Sequence, residues 1–142
     1  MPDRALTLHH IGCVVDSIEA RMERHRIALG ATSISEIFAD PIQRSRVAFL
    51  DLPAGGLQME LIEPASPDSP VARFLEKGGG LHHLCYEVDD LAAQIQWMKT
   101  QRALLIRGPQ PAVAFGGRRI AWMRTADALL VEYLERTLST VT

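Results

Sequence analysis

The chain has few of the features that assign a protein to a class at first sight. Only 6% of its 142 residues are aromatic, and its formal net charge is −2. A near-neutral chain lacks the basic field that binds nucleic acid or anionic membranes. No apolar stretch approaches the roughly 20 residues that span a bilayer, and the opening Met1-Pro2-Asp3-Arg4 is unlike a signal peptide. We therefore expect a cytoplasmic protein whose partner is a small molecule.

Cysteine is also scarce, and this leaves stability to a hydrophobic core. The two cysteines, Cys13 and Cys85, lie among apolar residues at near-equivalent places in two predicted strands. Free cysteine in such surroundings behaves as a small hydrophobic residue, so we predict reduced thiols and no disulfide. With 47% hydrophobic residues, a chain of this length can bury its own core without a disulfide or a metal to hold it together.

What the chain does contain is a pattern that occurs twice. The segment HHIGCVVD at residues 9–16 returns as HHLCYEVD at 82–89, and MELIE at 59–63 returns as VEYLE at 131–135. The histidines are offset by 73 positions and the glutamates by 72. Each half of the chain therefore begins on a histidine segment and closes on a glutamate segment.

Both halves also show the same order of predicted elements, β-α-β-β-β. In the first half, Asp16 or Ser17 caps a helix that runs to about Leu29 and ends at Gly30. In the second half, Asp89 caps a helix from about Leu91 to Gln101. Alternating apolar residues predict strands over 6–15, 34–38, 46–52 and 57–62, and over 81–88, 104–106, 118–123 and 129–134.

A four-stranded unit cannot cover its own apolar face, so two such units are expected to bury theirs together. The predicted fold is α+β, with two tandem βαβββ modules forming one cupped sheet. We expect a single domain over 1–142, with module 1 at about 6–64, a linker and short helix at 65–80, and module 2 at about 81–136.

The repeated histidines and glutamates together predict a metal site. Glu60 and Glu132 each lie inside an otherwise apolar strand, where a carboxylate costs several kcal/mol unless it is paired, hydrogen-bonded or bound to metal. Two imidazoles and two carboxylates suit divalent Co, Ni, Zn, Mn or Fe. Such an ion favours proton abstraction next to a carbonyl, with a carboxylate as base. Each double histidine leaves open which member points inward.

Several segments resemble the vicinal oxygen chelate superfamily of glyoxalases, bleomycin resistance proteins and dioxygenases, and are most similar to its methylmalonyl-CoA epimerase branch. The resemblance implies a divalent metal held by His10, Glu60, His83 and Glu132, a thioester or α-oxo substrate, and commonly a homodimer. The segments that carry it are 9–12, 59–64, 69–75, 81–90, 116–121 and 130–132.

The implied reaction is the epimerisation of an acyl-CoA thioester, with Glu132 and Glu60 as the catalytic carboxylates. Two alternatives stay open on the same residues. One is a glyoxalase I-like lactoylglutathione lyase, and the other is a non-catalytic protein that sequesters a small molecule, as bleomycin resistance proteins do. The four-residue ligand set favours the enzyme.

One departure from the epimerase pattern bears on the mechanism. Two-base epimerases carry a second glutamate shortly before the third strand, where this chain has Ile42 followed by Gln43. Neither side chain can act as a carboxylate base. Asp40 and Glu36 are the nearby candidates for a replacement.

Three residues are candidates for substrate binding. Arg118 and Arg119 follow a glycine-containing turn and could reach a phosphate or a carboxylate, although solvated arginines after a hairpin turn explain them as well. Gln43, beside the missing glutamate, is the third.

Overall fold

The computed structural model describes residues 6–137. Nine strands are present in this part of the chain: β1 (Thr7–Val14), β2 (Ser33–Ile34), β3 (Phe38–Asp40), β4 (Ser45–Asp51), β5 (Gln58–Pro64), β6 (Gly80–Val88), β7 (Leu104–Pro111), β8 (Arg119–Arg124) and β9 (Leu130–Glu135). The helices are α1 (Ile18–Leu29), α2 (Ala72–Glu76) and α3 (Leu91–Thr100), and a 3-10 helix spans Val113–Phe115. The predicted α+β class with two βαβββ modules is confirmed.

The chain divides into two compact units. Residues 10–82 form the N-unit, and residues 83–137 with 6–9 form the C-unit. In the N-unit the strand order is β2-β4-β5-β1, with β3 also paired to β4, and in the C-unit it is β6-β9-β8-β7. The pairs β1–β5 and β6–β9 are parallel, and the other pairs within each unit are antiparallel. Each unit thus sets its histidine strand directly beside its glutamate strand.

The helix ends follow from local hydrogen bonding. The Ser17 hydroxyl accepts the backbone N–H of Ala20, and Gly30 ends α1 in the left-handed conformation at φ 66°, which glycine adopts without strain. For α3, Asp90 is the cap, since its carboxylate accepts the N–H of Ala93 at 2.9 Å. The predicted cap, Asp89, is wrong by one residue: its carboxylate instead pairs with Arg136.

The predicted strand over 34–38 is interrupted in the structure, which gives β2 and β3 separately. The hydroxyl of Ser35 accepts the backbone N–H of Phe49 at 2.8 Å, and the N–H of Ser35 donates to the Phe49 carbonyl at 2.8 Å. A side-chain oxygen therefore takes the place of a main-chain acceptor, and the regular ladder stops there.

Helices α1 and α3 each pack on one face of the sheet of their own unit. Ile18, fully buried at the start of α1, packs in a cluster with Ala48, Leu50 and Leu61, while Leu91 and Ile95 of α3 pack with a cluster on β8 and β9. Burying each large side chain contributes about 1.5–3 kcal/mol. The strands present their alternate residues on the opposite face, and this second face carries His10 and Glu60 in the N-unit and His83 and Glu132 in the C-unit. No helix within residues 6–137 is long and apolar enough to cross a membrane.

The two cysteines are buried free thiols, as predicted. Cys13 is 7% exposed and Cys85 is fully buried, and burial raises the pKa of the Cys13 thiol. Because the thiolate is the reactive form, we expect both to resist a thiol reagent such as DTNB in the native protein at pH 8. Titration should give well under one thiol per chain, rising to two in guanidinium chloride. Rapid native reaction of either thiol would contradict this.

Candidate functional site

In the N-unit, a histidine and a glutamate meet on neighbouring strands. The parallel register sets Gly12 of β1 opposite Glu60 of β5, and His10 lies one pleat earlier on the same face. His10 Nε2 is 3.2 Å from Glu60 Oε1, and both residues are buried. On the other side of Glu60, β4 places Phe49 directly opposite, and its ring meets the His10 ring edge-to-face at 5.8 Å. The strand pairing thus places a buried His–Glu pair beside an aromatic ring.

The C-unit repeats this arrangement with its own residues. Cys85 of β6 lies opposite Glu132 of β9, and His83 Nε2 is 3.3 Å from Glu132 Oε1. His83 and Glu132 are each only 3% exposed. Trp122 of β8 pairs with Glu132 from the other side, and its ring contacts the His83 ring at 4.5 Å with the planes 78° apart.

The aromatic partner of each histidine is a feature that reasoning from the sequence missed. Phe49 and Trp122 are separated by 73 positions, the same offset as His10 and His83. That coincidence of offsets is the signal that could have found them. Each ring packs edge-on against the imidazole of its His–Glu pair.

The donor atoms within each pair are suited to a metal ion. Two ligand atoms that are about 2.1 Å from one ion, at roughly a right angle, lie about 3 Å apart. The separations of 3.2 Å in the N-unit and 3.3 Å in the C-unit are close to this value. A divalent ion also offsets the cost of burying the carboxylates of Glu60 and Glu132. The donor atoms of each His–Glu pair therefore fit a divalent metal ion.

The second member of each double histidine is the buried one. His9 and His82 are only half-buried, and each packs edge-on against a phenylalanine: His9 against Phe115 at 5.3 Å and His82 against Phe74 at 4.8 Å. The two members therefore differ in their surroundings, and the aromatic contacts of the first member are packing contacts.

The predicted substrate-binding arginines are engaged in ion pairs on the strands. Arg118 donates to the Glu87 carboxylate at 3.0 Å and to the backbone carbonyls of Glu135 and Arg136. Arg119 donates from two nitrogens to Glu135, which is buried, and this pairing raises the pKa of Arg119. In this arrangement both arginines stabilise the end of the β8–β9 pair, and a role in substrate binding stays a prediction.

The segment that lacks the second glutamate forms the turn between β3 and β4. Asp40 is buried, and its Oδ1 accepts the backbone N–H groups of Ile42 and Gln43, each at 3.0 Å. Its carboxylate thus holds the turn together. Ile42 is 42% exposed, Gln43 is half-buried and Glu36 is exposed. The structure gives Asp40 a structural role in this turn, and Glu36 lies on the surface.

Comparisons with known proteins point to one family. The model of the glyoxalase/bleomycin resistance protein/dioxygenase superfamily matches residues 8–122. An ethylmalonyl-CoA/methylmalonyl-CoA epimerase of Cereibacter sphaeroides is 32% identical over 122 residues, which cover 84% of this chain and 89% of that protein. An uncharacterised protein of Bacillus subtilis, YqjC, is 37% identical over 90% of this chain and 91% of its own length. The crystal structure of methylmalonyl-CoA epimerase from Mycobacterium tuberculosis superposes with a TM-score of 0.80 at 27% identity, over 92% of this chain and 87% of that one.

Proposed function

We propose that this chain, which belongs to the glyoxalase/bleomycin resistance protein/dioxygenase superfamily, epimerises a branched acyl-CoA thioester such as methylmalonyl-CoA. The protein is an enzyme of the racemase and epimerase type, as its relatives are. The observation that carries the proposal is the buried His–Glu pair that occurs once in each unit. A metal-assisted proton transfer would use both pairs together.

His10, Glu60, His83 and Glu132 are the proposed ligands of one divalent ion. Imidazole and carboxylate ligands are compatible with Co, Ni, Zn, Mn and Fe, so the ligand types do not identify the ion. When bound, the ion supplies Lewis acidity that lowers the cost of negative charge on the substrate's carbonyl oxygen. The buried reduced thiols of Cys13 and Cys85 are consistent with a cytoplasmic enzyme. A homodimer stays a prediction.

The proton transfers fall to the two glutamates. Glu132 accepts the proton from the α-carbon, and the electron pair of the broken C–H bond moves into the thioester carbonyl. Glu60, which must carry a proton and so cannot bind the ion at this stage, then donates that proton to the opposite face of the same carbon as the electron pair returns. The product is the mirror-image centre with no change in composition. Exchange with solvent removes the proton from Glu132 and restores the one on Glu60.

Glu60 is assigned the second role because the alternatives are occupied or misplaced. Asp40 accepts two backbone N–H groups, and Ile42 has no carboxylate. Glu60 is the carboxylate that lies buried against a histidine in the N-unit. Glu60 is therefore assigned both roles, as a ligand of the ion when it is ionised and as the acid when it is protonated.

Deuterium exchange tests the proposal directly. We expect metal-loaded protein in deuterated water to introduce deuterium at the α-carbon of methylmalonyl-CoA, detected by mass spectrometry, faster than the rate without enzyme. Glu76→Gln, on an exposed residue at the end of α2, is the matched control and should exchange like the parent protein.

Absence of exchange in protein with metal bound would contradict the epimerase proposal. A lactoylglutathione lyase reaction is then the next candidate, because isomerisation of a hemithioacetal uses the same His–Glu set and the chain lacks the second base at Ile42. Production of S-lactoylglutathione from methylglyoxal and glutathione would establish it. Failure of both reactions would leave a sequestering protein.

A further inference from the structure

The face of the C-unit sheet that carries Glu132 continues across two more strands. Cys85 of β6 is paired with Glu132 of β9, Glu132 with Trp122 of β8, and Trp122 with Arg107 of β7. Directly paired residues on neighbouring strands project to the same face. Arg107 therefore shares the face of Glu132, two strands away, at a Cα separation of about 10 Å from the strand spacing.

A break in the β7–β8 register puts Arg107 on this face. Leu105 is paired with Met123, which is fully buried under α3, but the next paired residues are Arg107 and Trp122. Strand β7 thus uses one extra residue, Ile106. With a regular register Ile106 would lie opposite Trp122 and Arg107 would project toward the apolar core. Bulges of this kind re-aim side chains and are frequent beside active sites.

A second arginine lies in the next row of the same face. Arg124 follows Trp122 by two residues on β8, and its pairing partners are Leu104 and Leu130. It is exposed, and its hydrogen bond to the Ala128 carbonyl is long, at 3.4 Å. Arg124 forms no salt bridge with any residue of the described range 6–137. Its charge is therefore available to a ligand.

A buried side-chain amide on β7 also indicates that a ligand binds to this face. Gln110 of β7 is paired with Ile120, two residues before Trp122, so it also projects to the face of Glu132. Its Nε2 atom is buried and meets no hydrogen-bond acceptor among residues 6–137. A buried donor without an acceptor costs about 1–3 kcal/mol. A ligand oxygen at this position removes that cost.

We propose that Arg107 and Arg124, with the Gln110 amide, form a binding site for an anionic group of the substrate beside Glu132. Guanidinium groups bind carboxylate and phosphate oxygens through paired hydrogen bonds, and Trp122 is paired between Arg107 and Glu132. The anion is either a free carboxylate on the acyl group or a phosphate of its carrier. The inference rests on the proposed function, since it takes an acyl thioester as the ligand.

Binding measurements test the site without depending on turnover. The affinities of the metal-loaded protein for methylmalonyl-CoA, isobutyryl-CoA and methylmalonyl-pantetheine are measured by calorimetry. The second compound lacks the acyl carboxylate, and the third lacks the phosphates. We expect Arg107→Gln to weaken methylmalonyl-CoA binding by at least tenfold, Arg107→Lys to restore part of it, and Arg124→Gln to act in the same direction. Arg102→Gln removes the same charge from the exposed turn before β7 and should change nothing.

The pattern of losses identifies the anion. Weaker binding of both methylmalonyl compounds, with isobutyryl-CoA unchanged, assigns the site to the acyl carboxylate. Weaker binding of both CoA thioesters, with the pantetheine compound unchanged, assigns it to a carrier phosphate. Unchanged affinity for all three compounds in Arg107→Gln, with an unchanged melting temperature, overturns the inference.

The failure of this inference is distinguishable from the failure of the proposed function. Arg107-dependent binding without deuterium exchange overturns only the epimerase reaction. Exchange that continues in an Arg107→Gln protein of unaltered affinity overturns only the anion site.

Discussion

Glu132→Gln should lower the rate of α-proton exchange on methylmalonyl-CoA by roughly 10²- to 10⁴-fold, the range that general-base catalysis contributes. The amide cannot accept a proton, whereas its size and its oxygen are those of the carboxylate it replaces. Contacts with the paired Trp122 and the neighbouring His83 should therefore persist. We expect kcat to fall while the affinity for substrate changes less than tenfold.

Metal content and turnover must be measured on the same sample of this variant. If Glu132→Gln retains its ion and loses turnover, the carboxylate acts as the base. If it retains full turnover, Glu132 is a ligand only and Glu60 becomes the candidate base. If the variant loses its ion, the exchange rate is measured again with metal in excess. The rate of the metal-loaded variant then reports on the proton transfer alone.

The repeated pattern was sufficient to predict most of the architecture. The order of elements in each half follows from the repeat, whereas the parallel pairing of the histidine strand with the glutamate strand is a finding of the structure. Helix α1 was also predictable, because Ser17 and Gly30 are strong end signals that act locally.

Features that depend on a specific register could not be predicted from the sequence. The interruption between β2 and β3 arises because the Ser35 hydroxyl reaches Phe49 on another strand, a contact that no local pattern encodes. Likewise the residues 104–106 suggest a plain apolar strand, yet the extra residue at Ile106 decides which face Arg107 occupies. A single added residue reverses the alternation, and only the pairing partner reveals it.

His83→Ala should remove the metal. The imidazole supplies one of the four proposed ligands and is only 3% exposed, so no water-accessible side chain can replace it without repacking. We expect the metal content after dialysis to fall from about one ion per chain to less than about a tenth, by elemental analysis. The melting temperature of the parent protein should fall when a chelator is added, and that of the variant should not respond, because stabilisation by a bound ion follows its occupancy.

The double histidine provides the matched control for this measurement. His82→Ala removes the neighbouring imidazole, which is half-buried against Phe74 at 4.8 Å, and should leave the metal content unchanged. His83→Gln keeps a polar group of similar size next to Glu132 and separates loss of a ligand from loss of packing. Parent-like metal content in both His83 variants would remove this residue from the site. Loss in His82→Ala alone would instead assign the ligand to the first histidine, and the buried pair of His83 with Glu132 would then be a structural contact of the C-unit.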